Sequence, residues 1–220
     1  MHLPDGFVSD PINLACAVLA AGACAIAIRR TGATLAERQV PLLGMTAAFV
    51  FAAQMLNFPI AGGTSGHFLG ATFALVLLGP WAACLVISLV LAVQCLLFAD
   101  SGLSALGTNI VTMAVVAVLV PAVVLAVLRA VLPRSRGAGL AAIAIAAWCS
   151  VVAASAACAT ALGASGYPLE LMLPAMVGVH AVIAVGEALI TTAIVSAVLA
   201  ARPDLVPGIA PARPLAGAVA

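Results

Sequence analysis

Three histidines stand in a chain of 220 residues that carries few other titratable groups, and two of them could grip a metal ion. His2 follows directly on Met1. The Met1 amine and the His2 amide nitrogen would close a five-membered chelate ring. The same amide nitrogen and the His2 Nδ1 would close a six-membered one. Two residues thus offer three nitrogens, and a fourth from His67 would complete a planar set. Planar nitrogen coordination suits Ni²⁺ or Cu²⁺, and low-spin Co²⁺ is also chemically reasonable. Binding would expel the amide proton and require a neutral amine, so it would weaken in acid. Pro4, Asp5 and Gly6 turn the chain just after the chelate. The bulky His2 disfavours removal of Met1 and so keeps the register.

His67 closes the run Asn57-Phe-Pro-Ile-Ala-Gly-Gly-Thr-Ser-Gly-His67, whose glycines permit close backbone approach and positive φ. Such a loop can fold back into a bundle rather than sit on top of it. Irregular backbone at membrane depth requires that cover. Asp5, Asn57, Thr64 and Ser65 are candidates to orient the histidines from behind; turn and cap chemistry is the plainer role for each. His180 and Glu187 lie seven apart and share one helix face. A carboxylate in an apolar run is costly and points inward, toward a neighbouring helix or a coupling role.

These groups need a scaffold, and the composition says of what kind. Hydrophobic residues make up 65% and charged ones 7%, with eight arginines, no lysine and a net charge of +1. A soluble domain averages about 45–50% apolar and about 25% charged. The composition excludes a soluble globule, a disordered chain and a nucleic-acid binder, and leaves an all-α membrane protein. Six cysteines form no CxxC pair and read as packing residues.

Apolar runs near the ~20 residues that cross a bilayer predict seven helices: 11–28, 40–58, 68–79, 81–99, 106–132, 140–162 and 169–201. Gly79-Pro80 splits the third from the fourth, because proline cannot continue a helix interior. Pro174 predicts a kink or a loop entry in the last. Residues 1–201 form one helical bundle, and 202–220 read as a flexible cytoplasmic tail. With an external N-terminus folded into the bundle and a cytoplasmic C-terminus, all eight arginines fall inside. His2 and His67 then share the outer side. The missing basic n-region argues against a cleaved signal peptide. Small-residue stripes at Ala17/Ala21/Ala25 and Gly44/Ala48/Ala52 suit helix packing, within the chain or against a partner.

The start Met-His-Leu-Pro-Asp-Gly resembles that of the CbiM/NikM family, the cobalt- and nickel-binding membrane subunits (S components) of energy-coupling factor (ECF) ABC importers. The run Phe51–His67 is similar to the family's second hallmark, and Gly102–Asn109 and Gly186–Thr191 resemble two further blocks. The resemblance implies a seven-helix bundle with the N-terminal segment tucked inward. It implies Ni²⁺ or Co²⁺ as transported substrate and Met1, His2 and His67 as metal ligands. It also implies a coupling membrane subunit, cassette ATPases, a small accessory membrane subunit and an inner-membrane location. The chain itself lacks G-x-x-x-x-G-K-[ST] and so has no ATP site of that type.

An alternative is an intramembrane serine protease of rhomboid type, with Ser65 in Gly63-Thr64-Ser65-Gly66 as nucleophile and His180 as base. It leaves His2 unexplained. A passive channel would have no use for a tight chelate.

Overall fold

The computed structural model describes residues 1–34, 36–56, 58–60, 64–206 and 209; for Arg38, 58–60 and 64–66 only the backbone is described. Among the described residues, seven helices follow the apolar runs: α1 (Asp10–Thr34), α2 (Val40–Gln54), α3 (Ala71–Leu78), α4 (Pro80–Phe98), α5 (Leu106–Val131), α6 (Arg136–Ala164) and α7 (Leu169–Ala201). Five of them, all but α2 and α3, are long and apolar enough to cross a membrane. At 1.5 Å per residue, α3 spans about 12 Å and reaches only part of the way. Between α2 and α3, short antiparallel strands β1 (Phe58–Ile60) and β2 (Thr64–Gly66) pair with Pro59 opposite Ser65.

Local chemistry sets the breaks. Gly79 has φ +79° and caps α3 at one end and α4 at the other, with Pro80 opening α4. A missing N–H costs nothing in that first turn. In α5 the ladder widens to a π-turn over Val111–Val116, and Pro121 lacks the N–H that would bond the Ala117 carbonyl. The Ser150 hydroxyl of α6 donates to that carbonyl at 2.6 Å. A buried serine thus supplies the partner the proline removes. Pro174 does not interrupt α7, which runs unbroken from Leu169. The expected tail begins as packed structure: a 3₁₀ turn at Pro203–Leu205 is followed by buried Val206 and Ile209, and Ile209 lies against Gly139. Residues 207, 208 and 210–220 lie outside the described residues.

The bundle has two distinct ends. At one, Thr31 and Thr34 of α1, Gln39 and the Leu78–Ala82 corner line a cleft, and Arg30 lies over the Trp81 ring. Arg136 reaches Ser196 from the same end. At the other end, the Ser9 amide donates to the Ser165 Oγ at 3.0 Å, and Phe7 stacks on Tyr167. Between the ends, Leu69, Ile87, Leu91, Met113 and Ile143 form the dry centre. Leu14, Val18, Leu19, Leu97, Val182 and Leu189 stand exposed on the outside. An apolar core wrapped in an apolar exterior fits a solvent of lipid.

Candidate metal centre

The first nine residues enter the bundle from the end opposite the arginines. Met1, Leu3 and Val8 are buried, Leu3 and Val8 in a cluster with Ala105, Cys158, Leu162 and Met176. The seat is polar and specific. The Leu3 amide donates to the Asn109 Oδ1 at 2.9 Å, and the Asn109 Nδ2 donates back to the Leu3 carbonyl at 3.1 Å. Asn109 is fully buried and pairs with the chain as a neighbouring strand would. The Gly102 amide adds a second bond to the Leu3 carbonyl. Asp5 accepts both the backbone amide and the hydroxyl of Ser104 through its Oδ1. Asn13 holds the Val8 carbonyl through its Nδ2 and accepts from the Thr108 hydroxyl.

The contact at Gly102 leaves no room for a side chain. A Cβ there would collide with the Asp5 backbone nitrogen and come within 2.6 Å of the Pro4 carbonyl carbon. Backbone atoms cannot swing aside as a side-chain tip can. Gly102→Ala should therefore expel the segment from its seat. Hydrogen exchange at the Leu3 amide should rise by at least about tenfold, the loss of ~1.4 kcal/mol of local protection. Unchanged protection would place the segment elsewhere.

His67 meets this segment from the other side. The rings of His2 and His67 stack with centroids 4.7 Å apart and planes 10° from parallel. The side chain of His2 and the whole of His67 are each 4% exposed. His67 donates its Nδ1–H to the Phe68 carbonyl at 2.9 Å. A carbonyl only accepts, so the proton sits on Nδ1 and the Nε2 lone pair is free for a metal. Nε2 of His2 and Nε2 of His67 are buried with no hydrogen-bond partner among the described residues. The His2 Nδ1 lies 3.5 Å from the Asp100 carboxylate, longer than a good hydrogen bond.

Burial and neighbouring charge lower the proton affinity of these donors. Burial, then the charge of the Met1 amine, lowers His2 from its ordinary 6.5 to about 3; the Gln94 side chain opposes this slightly. Burial and the same amine hold His67 well below 6.5. Burial lowers the Met1 amine below 8.0, against the pull of Cys158 and Asp100. For each group the undocked state binds the proton more readily than the docked one. Docking is thus favoured as pH rises and is lost as pH falls from about 6.5 toward 3. Acid titration followed by hydrogen exchange of residues 1–9 should show the segment leaving within that window while the helices persist. A segment that stays protected down to pH 3 would contradict the burial of His2.

No three His, Cys, Asp or Glu side chains among the described residues converge as a metal cage.

The other expected residues are placed differently. Asp5 fixes the segment to the Ser104 loop and is exposed. Asn57 lies outside the described residues, as do the side chains of Thr64 and Ser65. His180 is buried and bonds the Met176 carbonyl of its own helix at 2.8 Å. Glu187 accepts the amides of Leu69 and Gly70 and makes no bond to His180. Asn109, Asp100, Gln54 and Gln94 took no part in the sequence-based expectation for the site. Their signal was available, since polar groups inside apolar runs are costly.

Residues 2–205 match the model of the family CbiM, described as a cobalt uptake substrate-specific transmembrane region. A fused NikMN protein of Archaeoglobus fulgidus is 40% identical over 209 residues, covering 94% of this chain and 68% of that one. The fused nickel transport protein NikMN of Rhodobacter capsulatus is 36% identical, over 97% of this chain and 66% of its own length. A crystal structure of a truncated transition metal transporter superimposes with a TM-score of 0.85 at 30% identity, covering 91% of this chain and 99% of that one. The protease alternative built on Ser65 and His180 finds no support among these relatives.

Proposed function

Since this multi-pass membrane chain belongs to the CbiM family, we propose that it is the substrate-binding subunit of an ECF-type importer that captures Ni²⁺ or Co²⁺. The Met1 amine, the His2 amide and Nδ1, and the His67 Nε2 form the planar donor set. The observation that carries this reading is the pair of buried, uncharged imidazoles stacked at a chain end seated inside the bundle.

Charge balance favours the same set. A divalent ion bound to one ionised amide keeps a net charge of +1, which is expensive at membrane depth. The Asp100 carboxylate beside His2 supplies the compensating negative charge. The His2 amide would give up its proton to solvent as the metal–nitrogen bond forms, so capture releases a proton and weakens in acid. Loss of the fourth nitrogen, by withdrawal of either His67 or the chain end, leaves a weaker three-donor site and provides the route to release. Energy for that step comes from partners: a coupling membrane subunit, cassette ATPases and a small accessory subunit. The fused names NikMN and CbiMQ among relatives support work alongside other components. The end of the bundle bearing Arg30 and Arg136 faces the cytoplasm across the inner membrane, and the metal site opens outward.

Titration of the purified protein with Ni²⁺ should give one bound equivalent, diamagnetic as a planar d⁸ ion in a strong nitrogen field must be. A paramagnetic, six-coordinate Ni²⁺ would overturn the donor set.

A further inference from the structure

Glu187 is a carboxylate buried at 4% exposure in the middle of α7, and the capture chemistry gives it no task. Its two oxygens accept two successive backbone amides: Oε2 from Leu69 at 2.7 Å and Oε1 from Gly70 at 2.8 Å. Gly70 is the residue before α3, at φ +75°. Glu187 thus satisfies amides exposed at a helix start and meets the positive end of that helix. The Leu69 carbonyl is held in turn by the Gln54 Nε2 of α2 at 2.7 Å.

One of these bonds has a special neighbour. The Leu69 N–H and the Phe68 C=O belong to the same peptide unit, which is planar and rigid. Its N–H donates to Glu187, and its C=O accepts the Nδ1–H of His67. The sequence of contacts is carboxylate, peptide plane, imidazole and then the Nε2 lone pair. Metal-bound histidines commonly give their other N–H to a carboxylate or carbonyl, which fixes the ring and raises its basicity. Here a carboxylate reaches the ring through a single peptide, each bond polarising the next.

We propose that Glu187 is the positioning residue of the metal site. It sets the orientation and donor strength of His67 through the Phe68–Leu69 peptide, so that α7 holds the fourth ligand in place. The inference rests on the proposed role of His67 and deepens it.

A double-mutant cycle tests it. Glu187→Gln keeps the shape but removes the charge and one acceptor. With His67 present, it should weaken Ni²⁺ binding by about 10–100-fold. In a His67→Ala background it should change affinity by less than about twofold, because its path to the metal is already cut. An equal loss in both backgrounds would make Glu187 a general structural group and overturn the proposal, as would no loss in either. If His67→Ala alone leaves affinity unchanged, the fault lies instead with His67 as ligand. Should Glu187→Gln not fold, Glu187→Asp enters the same cycle, and the unaltered protein offers an independent readout. Loading with diamagnetic Ni²⁺ should move the Leu69 amide proton resonance downfield, and a resonance that stays in place contradicts the relay.

Discussion

His67→Ala should lower the affinity for Ni²⁺ by at least about 100-fold, or ~2.7 kcal/mol, while the protein still folds. The size follows from what remains. The amine, amide and His2 imidazole can still chelate, but one corner of the plane passes to a weaker donor. Folding survives because the His67 ring bonds only the carbonyl next in the chain and stacks on His2. No other helix depends on it for a hydrogen bond. The substitution removes a neutral ring from a buried site, and so costs packing without stranding a charge. Calorimetric affinity and thermal midpoint, measured together, separate the two effects. A lowered midpoint with unchanged affinity would remove His67 from the donor set.

The larger effect is expected at the chain end. Two residues placed ahead of Met1 should abolish tight binding altogether, although every side chain of the site remains. The added peptide converts the amine donor into an amide and moves the new amine beyond chelating reach. It also asks a closed seat to hold more chain. Met1 is 5% exposed, and Leu3 is pinned from both sides by Asn109 and Gly102. The extension therefore removes a ligand and undocks the segment at once.

Much of this architecture was legible in the residues. Six apolar runs near spanning length predicted six long helices; five are that long, while the run expected over 40–58 ends as helix at Gln54, and Gly79-Pro80 announced the corner where α3 ends. His2 and His67 were legible as a pair because histidine is rare here and its nitrogens have few other uses. Their seat was not. Asn109 pairs with Leu3 across 106 positions, and local periodicity carries no trace of such a contact. Glu187 stood out as a costly carboxylate, but its partners are backbone amides, which every residue except proline possesses. The start of α3, expected at 68 and found at Ala71, was hidden for a related reason. Phe68–Gly70 are as apolar as the helix that follows, and only the positive φ of Gly70 shows where the helix starts. The bonds that Asp5 makes to Ser104 join positions 99 apart, and spacing alone gave no sign of them.

One comparison tests the central claim most directly: Ni²⁺ titration calorimetry on the protein with its native start, beside the same chain extended by two residues. The account predicts one tightly bound ion for the native start and no tight binding for the extended chain. Equal affinity in both would show that the Met1 amine is not a ligand and would contradict the planar four-nitrogen site.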